Sequence, residues 1–287
     1  MMTKYSFRRR CGRGAMTSLI AWISRDQRRF AALHVASDSR ISWGSAARRW
    51  DAGRKVFASR VTPDVWAYCG DVLFPGLVLS QLVSAGDEGL LFEEEGSAEE
   101  RHRLAVEAMK NSFHRRHQTP DHGFTILHAS RDGEGANARP RVWLTTFDEK
   151  SRGWTDEERR IEEGSAGTVV TLGSGAASVK REAQRWKASA VGGTSRAIFS
   201  AFCDALANGE DPRSGGSPQL GSIYPKRAGT TAGVLHEGEL FLHGLPIREP
   251  TRSSSIEWYD SLFQRIDPTT RMLREGAARQ PRPKLKW

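Results

Sequence analysis

A chain of 287 residues with 38% hydrophobic content can bury a core for one large domain or two small ones, and it is basic, with a formal charge of +9. The excess sits at the ends: residues 1–16 hold Lys4, Arg8, Arg9, Arg10 and Arg13 with no acid, and residues 271–287 hold Arg271, Arg274, Arg279, Arg282, Lys284 and Lys286 against Glu275. The middle is close to neutral, an enzyme-like balance that argues against a nucleic-acid-binding body despite the nine tryptophans.

The first elements alternate like strands. Ser18–Ile23 and Phe30–Val35 flank the polar turn Ser24–Arg29 and read as a hairpin, and Asp38-Ser39-Arg40 follows where the second strand runs out. Val56–Ala58 and Val65–Cys69 are two short strands, the second closed by Gly70-Asp71. Asp71 is the expected cap of a helix with Leu73, Leu77, Leu79, Leu82 and Val83 on its apolar face. Glu93–Gly96 breaks the pattern before a second helix over Ala98–His117, with Leu104, Ala105, Ala108 and Met109 buried.

Phe124–His128 and Val142–Thr146 are the next strands, linked by a mobile loop, and Ser151–Gly167 reads as a charged insertion. Strand Thr168–Leu172, turn Gly173-Ser174-Gly175 and helices Ala176–Ala188 and Thr194–Leu206 follow. A loop over Gly209–Pro218 leads to strands Gln219–Tyr224 and Glu239–His243, then a short helix over Ile256–Phe263 and the basic tail. Helices gathered in consecutive pairs suit two packed sheets with a helix pair on each outer face, an α-β-β-α sandwich of the α+β class. The expected organisation is a basic extension over 1–16, one domain over 17–250, and a partly mobile basic extension over 251–287.

Cys11, Cys69 and Cys203 are far apart, which argues against a disulfide framework or a zinc site and suits a reducing compartment. His114, His117 and His122 lack a ligand pattern and read as surface residues, so no metal or other cofactor is expected. Arg8–Arg10 before Leu19–Ile23 imitates a signal peptide, but Ser24-Arg25-Asp26 ends the apolar run early. No stretch approaches the roughly 18 apolar residues of a membrane span, and a cytoplasmic protein without membrane contact is expected.

Thr17 carries the chemistry. A threonine at the first position of a chain holds nucleophile and base on one residue, because its hydroxyl attacks while its free α-amine takes the proton. That amine has an unperturbed pKa of roughly 7.7–8.0, and a nearby lysine cation lowers it toward neutrality. Around Thr17 the chain sets out Met-Thr-Ser-Leu-Ile-Ala at 16–21, Ala-Ser-Asp-Ser-Arg-Ile-Ser at 36–42 and Gly-Arg-Lys-Val-Phe at 53–57. Tyr-Cys-Gly-Asp at 68–71, Leu-Gly-Ser-Gly at 172–175 and Asp-Pro-Arg-Ser-Gly-Gly at 211–216 complete the set. Each piece alone is an ordinary turn, loop or surface lysine; six in order at element boundaries are not.

From Thr17 to about Leu245 the chain resembles the β-type subunits of the proteasome and the HslV-type bacterial peptidase, members of the N-terminal nucleophile hydrolases. The resemblance implies that Thr17 Oγ attacks a peptide carbonyl and that Lys55 assists it electrostatically. Asp38 holds Lys55, the Gly70 N–H faces the oxyanion, and Ser174, Asp211 and Ser214 surround the amine. Ile41, Tyr68 and Val72 line the first specificity pocket. Protein or peptide substrates and a homo-oligomeric ring are implied; an ATPase partner is left open.

Two features depart from that pattern. Met16 stands where proteasome precursors have glycine, which leaves a removable propeptide or a start at Met16; the stretches 24–29 and 151–167 look long. An amidohydrolase of the same fold acting on a small amide is the nearest alternative. A silent subunit lacking Thr17 or Lys55 and a nucleic-acid-binding protein are weaker ones.

Overall fold

The run Leu19–Ile23 is apolar at every position rather than every second one, and all of these side chains are buried. A strand reads this way only when both faces are covered. Leu19, Ala21 and Ile23 enter one core while Ile20 and Trp22 enter another. The same split recurs at Val65–Cys69, where Val65, Ala67 and Cys69 face the first core and Trp66 and Tyr68 a third.

The computed structural model describes residues 17–26, 29–93, 96–118, 122–162, 166–248, 255–279, 282 and 284; the expected extension over 1–16 lies outside them. The strands of the first half are β1 (Leu19–Asp26), β2 (Arg29–Ser37), β3 (Ile41–Trp43), β4 (Ser45–Trp50), β5 (Val56–Ala58) and β6 (Val65–Gly70). Helices α1 (Leu73–Asp87) and α2 (Ala98–His114) precede β7 (Phe124–Asp132), β8 (Arg139–Asp148), β9 (Gly153–Glu158) and β10 (Gly167–Leu172). After α3 (Ala176–Lys187) and α4 (Ser195–Ala207) come β11 (Gln219–Ile223), β12 (Thr230–His236), β13 (Glu239–Leu242), β14 (Leu245–Ile247), β15 (Trp258–Tyr259) and β16 (Arg265–Ile266).

The fold is mixed α+β, with antiparallel sheets and, among the described residues, four helices. One sheet runs β10-β1-β2-β11-β12-β13-β14 and the other β5-β6-β7-β8-β9, with β3–β4 a separate ribbon. A parallel pairing of β12 with β15 is the exception to antiparallel order. Leu19, Val35 and Ile223 of the first sheet meet Val56, Ala67, Leu127 and Val142 of the second in one core. Phe74, Leu79, Leu82, Ala105 and Met109 of α1 and α2 cover the other face of the second sheet. Val179, Phe199 and Phe202 of α3 and α4 cover the other face of the first. Among the described residues no helix is long and apolar enough to cross a membrane.

Three expectations change. The α1 face is rotated: Phe74, Val78, Leu79 and Leu82 are buried while Leu73 and Leu77 are each 60% exposed. The helix is apolar on all sides, and the bulkiest side chain, Phe74, takes the core position. Asp71 does cap the helix, its carboxylate accepting from the Phe74 N–H three residues on at 3.4 Å, while Val72 already has helical torsions. The charged insertion supplies the edge strand β9, paired with β8 from Asp148↔Gly153 to Trp143↔Glu158. Ile256–Phe263 is not a helix: Trp258 and Tyr259 form β15, and both are buried against the body.

Candidate active site

Thr17 is separated from β1 by one residue, with its backbone held by the turn after the neighbouring strand β10. The Gly175 N–H donates to the Thr17 carbonyl at 3.2 Å. A Cβ on Gly173, which has φ 87°, would overlap that carbonyl oxygen, and one on Gly175 would overlap Ser18 Oγ. Only glycine lets the two backbones approach this closely. Thr17 itself has φ 139°, a region that β-branched residues seldom adopt.

Lys55 and Asp38 converge on it. The Lys55 ammonium donates to Thr17 Oγ at 2.9 Å and to Asp38 Oδ1 at 2.9 Å, and both charged side chains are fully buried. Asp38 is saturated: its Oδ1 also accepts from the Ser18 N–H at 3.0 Å, and its Oδ2 from Arg40 N–H at 3.2 Å and Gly215 N–H at 3.0 Å. Such a pair survives burial because each charge has directed partners; removing one partner typically costs about 3–5 kcal/mol. The Thr17 hydroxyl accepts from Lys55, and its own proton has no acceptor among the described residues.

The remaining expected residues fall into two groups. Ser214 is buried and donates to Ser18 Oγ at 2.7 Å, one residue beyond the nucleophile. Ser174 and Asp211 pair with each other at 2.5 Å at the exposed rim, and neither is bonded to Thr17. Gly70 ends β6 with φ 101°, where a Cβ would press on the Gly123 carbonyl and Phe124 Cα. Ile41 packs over Gly53, and the Tyr68 hydroxyl donates to the Arg54 carbonyl at 3.2 Å beside Gly76 of α1. Val72 is half-buried at the entrance to α1.

Gln219 on β11 was not anticipated. Its Oε1 accepts from the Lys55 and Val56 N–H groups at 2.9 and 3.3 Å, and its Nε2 donates to the Gly53 and Asp38 carbonyls at 2.7 and 3.2 Å. One buried amide therefore ties the Lys55 strand to the Asp38 loop. The only sequence signal was a glutamine at the head of the strand-like run Gln-Leu-Gly-Ser-Ile. Arg40 is a second clamp, paired with Asp51 at 2.7 and 2.9 Å and donating to the Pro212 and Ser214 carbonyls at 3.2 Å. The Asp51 carboxyl is lowered chiefly by that hydrogen bond from Arg40. Ser39 and Arg40 N–H groups both donate to the Gly215 carbonyl, which fixes the 211–216 loop over the site.

Among the described residues no group of three His, Cys, Asp or Glu side chains is placed to hold a metal ion. The arrangement offers a hydroxyl against a desolvated ammonium, the setting in which an alkoxide is most stabilised. No protein-family model matches the chain, and no curated protein matches it.

Proposed function

We propose that the chain is a threonine-type peptidase whose nucleophile is Thr17, freed by cleavage of the Met16–Thr17 bond. The observation that carries this is the fully buried Lys55 ammonium, 2.9 Å from both Thr17 Oγ and Asp38 Oδ1. A buried charge serving structure alone needs only its counter-ion; here it is also aimed at a hydroxyl.

The reaction follows from these atoms. The Thr17 α-amine accepts the hydroxyl proton, and Oγ adds to the peptide carbonyl carbon. The oxyanion of the tetrahedral intermediate is met by the Gly70 N–H. The C–N bond breaks as the ammonium returns its proton to the leaving amine, and an ester to Thr17 remains. Water, deprotonated by the same amine, hydrolyses that ester and restores the hydroxyl. Asp38 and Gln219 hold Lys55 in register, and Ser214 acts on the site through Ser18.

Further support comes from the layer order, which is the one expected of an N-terminal nucleophile hydrolase. A homo-oligomeric ring in the cytoplasm, hiding the nucleophile from other proteins, completes the reading. N-terminal sequencing of active protein should read Thr-Ser-Leu-Ile-Ala, and an electrophile selective for N-terminal threonine should label it but not Thr17→Ala. Active protein that still carries residue 16 overturns the proposal; labelling with turnover of small amides alone moves the substrate to the amidohydrolase alternative.

A further inference from the structure

Four titratable side chains outside the Thr17 cluster form one hydrogen-bonded chain from the core to the surface. Asp64 Oδ1, fully buried, lies 2.9 Å from Nε2 of His128 on β7. The Nδ1 atoms of His128 and of His102 on α2 meet at 3.0 Å, and His102 Nε2 lies 3.1 Å from Asp156 Oδ2 on β9. The outer end is open. The Asp156 side chain is 38% exposed and borders a cleft of about 650 Å³ between α2 and the β8–β9 edge.

The direction of each bond follows from the inner end. Burial raises the Asp64 carboxyl, but His128, Arg101 and Ser130 overcome this and keep it a carboxylate, so His128 Nε2 donates to it. Burial lowers His128 to about 4, so near neutral pH its Nδ1 holds a lone pair and His102 Nδ1 must donate. A neutral His102 has then spent its one ring proton. Burial also raises the Asp156 carboxyl, but hydrogen bonds from His102 and Thr145 outweigh it and hold it below 3.8. Two lone pairs therefore face each other at 3.1 Å unless one further proton sits on His102 Nε2.

We propose that His102 and Asp156 form a proton-operated clasp: uptake of one proton by His102 from the cleft fastens the edge strand β9 to α2, and its loss releases the strand. β9 pairs with β8 alone and Thr155–Glu158 are exposed, so side-chain ties to α2 decide how closely this end is held. Two other ties exist, Trp154 against Phe113 at 5.1 Å, and Arg141 bridging Glu99 and Glu158 at 3.1 and 2.7 Å. Neither changes charge near neutral pH, which leaves His102–Asp156 as the responsive one. Trp143 stacks on His102 at 4.5 Å and covers the ring face, so the proton enters along the Nε2 edge. Of the other charges around this edge, Glu158 on β9 acts on His102 and Lys110 on α2 acts on Asp156. Arg101 is spent on Asp64 and Arg103 on Glu100 and Glu107, while His114 lines the far part of the cleft. Because the fastened form binds the proton more tightly, fastening is complete at lower pH and is lost as pH rises.

The test uses the full chain and needs no catalysis. Amide hydrogen exchange over Gly153–Glu158, corrected for the intrinsic pH dependence of exchange, should quicken at least about tenfold between about pH 6 and about pH 8.5. That is the size expected for one lost charge-assisted bond, and β7 should stay protected throughout. Imidazole nitrogen NMR should show His102 protonated at both ring nitrogens at the lower pH and at Nδ1 alone at the higher. Asp156→Asn supplies an amide that donates to a neutral Nε2, so its exchange should be slow at both pH values. Equal corrected exchange at the two pH values in the unmutated chain, a His102 ring whose protonation does not change between them, or a pH-dependent Asp156→Asn would overturn the proposal. None of these outcomes bears on Thr17, whose labelling is read separately.

Discussion

Two buried charge networks flank the five-stranded sheet, and they are built differently. One joins α2 to the sheet: Arg101 donates to Asp64 at 2.8 Å, His128 Nε2 meets Asp64 at 2.9 Å, and the His128 and His102 Nδ1 atoms meet at 3.0 Å. His102 Nε2 ends the chain at Asp156, at 3.1 Å. Burial lowers His128 to about 4, although the hydrogen bond and charge of Asp64 act in the opposite direction. Trp66 stacks on His128 at 3.6 Å and Trp143 on His102 at 4.5 Å, closing the sides. The other network, at Thr17, contains a hydroxyl whose proton meets no acceptor among the described residues. A saturated network stabilises; one left a valence short beside a nucleophile is ready to react.

Breaking the saturated network should give the largest effect. Burial raises the Asp64 carboxyl, but His128, Arg101 and Ser130 together overcome this and hold it below the usual carboxylate range. Asp64→Ala strands Arg101 in the core and should cost about 3–5 kcal/mol in urea unfolding. In folded protein the turnover per site should stay within about twofold of the unmutated chain. A comparable loss of turnover would mean that the two networks are coupled.

Lys55→Met reverses the pattern. Asp38 keeps three main-chain donors, from Ser18, Arg40 and Gly215, so the fold should persist, at a stability cost no greater than the about 3–5 kcal/mol of a broken buried pair. Peptidase turnover should fall by at least about a hundredfold, the range typical of lost electrostatic assistance. An active Lys55→Met enzyme would show that the ammonium is structural, like Arg101.

Gln219→Leu should fall between the two. It leaves the Lys55 and Val56 N–H groups buried without acceptors, at about 1–3 kcal/mol, and loosens the register of Lys55. Turnover should drop by about tenfold with KM little changed, because the lysine stays charged but is less well aimed. Steady-state kinetics beside unfolding curves separates the two effects.

The contrast between the networks also explains what was legible in advance. Thr17, Asp38 and Lys55 could be named because each sits in a short motif at a strand boundary, and the strands before and after them are strongly apolar. The first helix could be placed but not rotated, since Leu73, Phe74, Leu77 and Val78 offer two equally apolar stripes. Arg101, His102 and His128 were invisible as core residues: polar types are expected outside, and only the fold brings Asp64 and Asp156 to meet them. The strand β9 was hidden for a related reason. Its residues Thr155–Glu158 are exposed, so no apolar alternation marks them, and pairing with β8 alone defines it. Ribbon β3–β4 and the strands β12 and β14 that flank the expected strand at Glu239–Leu242 were missed where the residues are partly exposed.

A third buried imidazole gives the smallest effect and a test of sign. His34 on β2 lies between Ser222 at 2.7 Å and Ser24 at 2.9 Å and stacks on Trp22 at 4.9 Å. Unlike His128 it has no carboxylate, and burial lowers it from 6.5 to about 3. The folded state therefore stays unprotonated in the range where the unfolded chain takes up a proton. Its stabilising contribution is complete above 6.5 and is lost as pH falls toward about 3. Within that window the slope is about 1.4 kcal/mol per pH unit for one such group. The contribution from Asp64 runs in the same direction but begins only below its ordinary value of 3.8. Urea unfolding between about pH 6 and pH 4 thus reads the histidines before the carboxylate enters. His34→Gln should flatten the curve by roughly one group's slope while lowering stability at neutral pH, where a flexible amide replaces a stacked ring. An unchanged slope would mean that His34 gains its proton in the folded state as readily as in the unfolded one, and that its two hydroxyl neighbours accept from a charged ring.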